Sequence, residues 1–209
     1  MPRRLTPLIS GEYYHVYSRG NNRQVIFWAR ENYLFFLRRM RDYFLYEQPK
    51  AGGPEVSKAS GLWPAISVIA YCLMPNHFHL LLQPHDDSLS RRMQRLLISY
   101  TKAINERFDR VGALFQGQFQ AIRVDSDEYL LHLSRYIHLN PVAAGLVQRP
   151  EAWEFSSYRE FVGLRKGSLV RPEIILGQFS VLSEYRQFVE AYLPSDRERI
   201  AHLLFSEQR

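Results

Sequence analysis

Two short patterns in this chain carry residue types that do chemistry. The first is His77-Phe78-His79, inside the largely apolar stretch CLMPNHFHLLLQP from Cys72 to Pro84. On a β-strand successive side chains alternate faces, so both imidazoles stand on one face, about 7 Å apart at Cα. Phe78, Leu80 and Leu82 take the other face. Two imidazoles at that separation can share one metal ion. Two histidines on a solvated sheet face account for the same pattern, and two ligands alone hold a metal weakly, so a third is required. The second pattern is HLSRYIHLN, which sets His132, Tyr136 and Asn140 at i, i+4 and i+8, one stripe on a helix with Tyr129 at its upper end. Asn140 offers an amide oxygen to a metal, and Tyr136 offers a phenol one turn away. The neighbouring stripe Leu130, Leu133 and Ile137 is apolar and should dock on the body of the domain. A wet helix face with Asn140 as C-cap before Pro141 fits the same residues. Tyr100 is a competing phenol, but Ile104 stands at its i+4 position, so it reads as packing.

The elements that must position these residues follow from periodicity. EYYHVYSRG (Glu12–Gly20) alternates as a strand, and Gly20-Asn21-Asn22 is turn chemistry. Ala29–Glu47 repeats apolar residues at helical spacing, and the Pro/Gly/Ser-rich segment Gln48–Gly61 is a loop. Ala65–Met74 is a buried strand, Met74-Pro75-Asn76 a turn, and His77–Gln83 the returning strand. Ser88–Phe108 is a long basic helix with Ser88 as N-cap, and Gln116–Val124 is a strand. Asp125–Asn140 is a helix with acidic residues in its first turn and Pro141 after its end. The order β-α-β-β-α-β-α begins with the ferredoxin-like split β-α-β pattern, an α+β fold whose antiparallel sheet carries two helices on one face. Pro150–Gly163 reads as a short helix with aromatic anchors, GLRKGSL as a linker, and Val170–Arg209 as two or three small helices. The expected division is a main domain over residues 1–165 and a helical C-terminal extension over 166–209.

Composition narrows the partners. Of 209 residues 46% are hydrophobic and 14% aromatic, which supports one ordinary core. The single cysteine, Cys72, excludes an intramolecular disulfide and a cysteine-based zinc cluster, and a reducing, cytoplasmic setting fits. The sequence shows neither a bilayer-spanning run nor a secretory h-region, so no membrane partner is expected. The net charge of +6 suits a polyanion such as nucleic acid. Arg91, Arg92, Arg95, Lys102, Arg107 and Arg110 crowd the second long helix and its end; Arg19 and Arg23 follow the first strand; Arg123 closes another. As a group these are the expected DNA contacts, with Tyr14 and Phe119 as aromatics for stacking on unpaired bases.

Three motifs together, YYHVYSRGNNRQVIF, YCLMPNHFHLLL and YIHLNPVAAGLV, resemble the IS200/IS605-like single-tyrosine (Y1) transposases of the HUH nucleases, most of all the REP-associated tyrosine transposases. The resemblance covers roughly residues 10–165. It implies that His77 and His79 are metal ligands, that Asn140 is the third, amide ligand, and that Tyr136 is the nucleophile. It further implies Mg²⁺ or Mn²⁺ dependence, action on single-stranded DNA near palindromic hairpins, a 5′-phosphotyrosine intermediate, a bacterial, nucleoid-associated setting, and a monomer or homodimer. His132, one turn before Tyr136, is a candidate base. The segment Leu164–Arg209 has no counterpart in the resemblance. Three competing readings remain: an RNA-binding RRM on the same scaffold, a hairpin-binding relative without cleavage, and a structural metal site.

Overall fold

The computed structural model describes residues 8–45 and 64–192, with 198 and 201 as isolated positions. The expected loop 48–61, the last two residues of the expected first helix and most of 193–209 lie outside the described residues. The main elements are β1 (Tyr13–Arg19), α1 (Arg30–Phe44), β2 (Ile66–Met74), β3 (His77–Pro84), α2 (Leu89–Arg107), β4 (Gln120–Val124) and α3 (Asp127–Ala143). The sheet order is β2-β3-β1-β4 with every pairing antiparallel. β1 and β2, joined through α1, therefore run parallel with β3 inserted between them, which is the expected split β-α-β arrangement. No helix among the described residues is long and apolar enough to cross a membrane.

Strand alternation builds two cores. Val16, Phe78, Leu80 and Leu82 point under α1 and α2, where Phe36, Met40, Leu96 and Tyr100 meet them. Leu81, Cys72 and Met74 point the other way, onto Leu130, Leu133 and Ile137 of α3. A register shift in β2 between Val68 and Ala70 puts Ile69 and Ala70 on the same side, as a β-bulge does. Three short helices complete this second layer: α4 (Tyr158–Phe161), α5 (Glu173–Leu176) and α6 (Leu182–Glu190). The histidine-bearing face is thus covered rather than a solvated sheet face.

The chain after α3 also seals the outer edge of β2. Leu73 N–H donates to Phe155 O, Ser157 N–H to Tyr71 O and Arg171 N–H to Val68 O, at 2.9, 3.0 and 2.8 Å. An edge covered in this way is not available for strand addition. Packing draws no line at residue 165: Val170 joins the first core, and Ile175, Tyr185 and Val189 join the second.

α3 starts as its sequence dictates, with Ser126 Oγ accepting from Tyr129 N–H at 3.2 Å and Asp127 and Glu128 in the first turn. Its end differs from expectation, because Pro141 lies inside the helix. Proline's missing N–H removes one bond to the previous turn, but the stop comes later. Leu146 N–H reaches Pro141 O and Gly145 N–H reaches Val142 O, both 2.9 Å, with Gly145 at φ +68°. This is the paired-bond glycine terminator of helices, and it leaves Asn140 in the last turn rather than at a cap.

Candidate functional site

β1 and β3 are neighbours, with Tyr17 opposite His79 and Arg19 opposite His77. α3 lies across their second face. The His77 and His79 rings meet edge to face at 5.0 Å between centroids, and His79 meets the Tyr136 ring at 5.5 Å in the same manner. A cavity of about 170 Å³ opens beside them, lined by His77, Tyr136, Leu139, Asn140 and Tyr192 among others. The two separate sequence patterns therefore converge on one place.

The donors available there are two imidazoles and one amide. Asn140 is 8% exposed, and its Nδ2 is buried without a hydrogen-bond partner. An amide turned end for end presents oxygen where nitrogen stood, so an orphaned amide on the cavity wall fits the third ligand of an Mg²⁺ or Mn²⁺ site. Among the described residues no cluster of three His, Cys, Asp or Glu is placed to hold a metal, so the set depends on this amide. Burial, together with the neighbouring His77 and His15, pushes the His79 pKa well below the ordinary histidine range. That keeps the ring in the neutral form that coordination requires.

Partners of the two histidines were not legible in the sequence. His77 Nδ1 sits 2.6 Å from Asn76 Oδ1, while Asn76 Nδ2 donates to Arg23 O at 3.2 Å. A carbonyl only accepts, so the Asn76 amide has its oxygen toward His77, and His77 Nδ1 must carry the proton. His15, fully buried on β1, places Nε2 2.9 Å from Nδ1 of His79. The one signal for it was the alternation of YYHVYS, which puts His15 and Tyr17 on a common face.

A second polar group holds α3 itself. His138 Nδ1 is 2.7 Å from Tyr185 Oη, and its Nε2 is 2.8 Å from Ser157 Oγ. Ser157 Oγ in turn accepts from Tyr71 N–H at 2.9 Å, and Ser134 Oγ is 3.1 Å from Tyr185 Oη. The network ties α3 to β2 and α6 and so sets the rotation of the helix that carries Tyr136 and Asn140. Burial pushes the His138 pKa down to about 3.

Other expected residues fall elsewhere. His132 Nδ1 accepts from the Arg135 guanidinium at 2.7 Å, and its ring packs on Phe188 of α6 at 5.7 Å. It is not among the residues lining the cavity. Arg92 is 6% exposed; it donates to Tyr43 O at 2.7 Å and to Ser88 Oγ, with Asp86 at 3.9 Å. It joins α2 to the end of α1, which removes it from the DNA contacts. Arg91, Arg95 and Lys102 are exposed, but α2 packs on the sheet face opposite the cavity. Arg123 is exposed on β4 and pairs with Glu12 at 3.0 Å. Arg19 and Arg23 lie at the His77 end of the sheet; Arg19 donates to Gln116 Oε1 at 2.9 Å. Tyr14 and Phe119 are buried in the first core and cannot stack on bases. Tyr100 is buried packing, with its hydroxyl donating to Ile26 O at 2.6 Å.

Known proteins resemble this chain at two levels. Residues 55–140 match the model of the IS200-like transposase family. More particularly, a Haemophilus influenzae protein assigned as a REP-associated tyrosine transposase is 29% identical over 105 residues, 45% of this chain and 60% of that protein. The match thus spans less than two thirds of the curated relative. The solved structure of a REP-associated tyrosine transposase bound to a REP hairpin shares the fold, with a TM-score of 0.58 and 18% identity over 82% of this chain and 98% of that one. The resemblance carried by the three sequence motifs is borne out, and so is the fold class.

Proposed function

We propose that this chain is a divalent-metal-dependent endonuclease and strand transferase acting on single-stranded DNA beside palindromic hairpins, as a REP-associated tyrosine transposase. The observation that carries the reading is that His77, Tyr136 and Asn140, drawn from two elements, line one cavity, with the His79 ring against those of His77 and Tyr136 behind its wall. His77 and His79 ligate through imidazole nitrogen and Asn140 through its amide oxygen. Imidazole suits Mn²⁺ better than Mg²⁺, which prefers oxygen. When bound, the ion supplies Lewis-acid polarisation of the scissile phosphate. Three neutral ligands leave its charge undiminished toward that phosphate.

Tyr136 attacks the phosphorus in line with the bond to the 3′ oxygen. A free tyrosine phenol has a pKa near ~10, so Tyr136 must lose its proton as the new O–P bond forms. The P–O3′ bond breaks, the 3′ oxygen takes up a proton, and the 5′ side stays on the protein as a phosphotyrosine. One phosphodiester replaces another, so a second 3′-OH can reverse the attack and join strands without ATP. His132 accepts from Arg135 and packs on Phe188 of α6, which supports a positioning role in this reading rather than that of the base. Arg19 and Arg23 bring positive charge to the His77 end of the sheet, while Arg91, Arg95, Lys102 and Arg123 serve DNA lying beyond the cavity. Residues 1–165 form the nuclease in this reading, with 166–192 buttressing α3.

An RRM-type function is disfavoured by packing, because the sheet face on which such domains stack bases is here covered by α3 and α4–α6. The test is a nicking assay on single-stranded oligonucleotides spanning palindromes beside the gene, with Mn²⁺, Mg²⁺ or EDTA. Metal-dependent cutting is expected. Tight hairpin binding with no cut under any metal identifies a binding protein on a retained fold.

A further inference from the structure

The two site histidines are held by different partners, and the difference has a chemical consequence. An imidazole ligates through one nitrogen, so the proton of the neutral ring must sit on the other. For His77 that placement is forced: Asn76 Nδ2 donates to the Arg23 carbonyl, Asn76 Oδ1 therefore accepts from His77 Nδ1–H, and Nε2 is the ligating atom. For His79 the partner is a second imidazole. His15 and His79 are 0% and 1% exposed, with Nε2 of one 2.9 Å from Nδ1 of the other. Two neutral rings joined by one hydrogen bond share a single proton in that bond. If His15 supplied it, the proton of His79 would sit on Nε2 and block the nitrogen that faces away from His15. If His79 supplies it, Nε2 is open, matching His77.

We propose that His15 is the positioning residue for His79: its Nε2 accepts from His79 Nδ1–H, and so holds His79 in the tautomer that can ligate a divalent cation through Nε2. The proposal rests on the reading of His77 and His79 as metal ligands. It also explains the residue type. Metal-bound histidines commonly donate to a carboxylate or carbonyl. An imidazole acceptor orients the ring without placing an anion beside the scissile phosphate.

The tautomer can be read without metal or turnover. In ¹⁵N-labelled, metal-free protein, long-range ¹H–¹⁵N spectra of the imidazoles at pH 8 should show His79 protonated on Nδ1. A proton on Nε2 of His79 overturns the proposal, whatever the variants do. Calorimetric Mn²⁺ titration follows, on the wild type, His77→Ala, His15→Phe and His15→Gln, each first checked by thermal melting. His15→Phe keeps the ring volume but removes the acceptor, and should lose roughly 10–100-fold in Mn²⁺ affinity. His15→Gln, which can offer an amide oxygen, should recover most of it. A folded His15→Phe that binds Mn²⁺ as tightly as wild type overturns the proposal. Mn²⁺ binding undiminished in His77→Ala instead overturns the parent metal reading.

Discussion

The two faces of the sheet use alternate residues of the same strands for opposite ends. Under α1 and α2, Val16, Phe78, Leu80 and Leu82 meet Phe36 and Met40 in a dry apolar layer. Under α3 and α6 the side chains are as deeply buried, yet they include His15, His79, His138, Ser134 and Ser157. Each buried polar group there is destabilising unless paired, and the hydrogen bonds of His15, His138 and Ser157 supply the pairing. The first face makes the strands rigid; the second uses that rigidity to hold imidazoles, a phenol and an amide at fixed separations. Phe78, between His77 and His79, belongs to the first face and its two neighbours to the second.

That contrast can be broken from either side. Tyr136→Phe is expected to abolish cleavage and covalent attachment while hairpin affinity and melting temperature stay close to wild type, as read by denaturing gels, gel shift and calorimetry. Next, His77→Ala should abolish metal-dependent cutting with little loss of stability. Phe78→Ala, one residue on, should destabilise by about 3–5 kcal/mol in urea unfolding, as large-to-small changes in packed cores do. Comparable stability loss in both would mean that the faces are not divided as described.

The polar network gives a smaller effect with a definite sign. The folded-state pKa of His138, about 3, lies below the usual value of 6.5. The unfolded chain therefore binds the proton first as pH falls. The stability contributed by neutral His138 is complete above pH 6.5 and is lost on descending toward about 3, by about 1.4 kcal/mol per pH unit. His138→Leu should flatten that acid limb, and at pH 8 should be destabilised by about 1–3 kcal/mol, because Ser157 Oγ and Tyr185 Oη each lose one of their hydrogen bonds. A variant with an unchanged acid limb would assign the pH dependence to other groups. The smallest effects concern single surface cations. Lys102→Ala should lower the slope of log affinity against log salt by about 0.7 for single-stranded DNA if it meets a phosphate. Arg92→Ala should lower stability instead, since that side chain is buried between α1 and α2.

Much of this was legible in the sequence because it depends on local periodicity. Alternation assigned Phe78, Leu80 and Leu82 to one face and His77 and His79 to the other, and helical spacing put Tyr136 and Asn140 on one stripe. What depends on tertiary pairing was not legible. His15 acquires meaning only from the β1–β3 register. Arg92 looked like its basic neighbours until α2 turned it inward, and Tyr14 and Phe119 looked available until α1 and α2 covered them. Pro141 read as a helix stop because the local rule ignores the stronger stop at Gly145, and that kept a C-cap open as the alternative reading of Asn140. The cover over the histidine face came from α3, whose apolar stripe announced its docking, and from α4–α6, of which the part after residue 165 no motif announced.

The central claim is that Tyr136 becomes covalently joined to DNA. The most direct measurement is mass spectrometry of the protein after reaction with a single-stranded hairpin oligonucleotide and Mn²⁺, followed by nuclease and trypsin digestion. The account predicts a 5′-phosphonucleotide on the peptide containing Tyr136, absent with EDTA. The same modification on the Tyr100 or Tyr17 peptide, with the Tyr136 peptide unmodified, would contradict it.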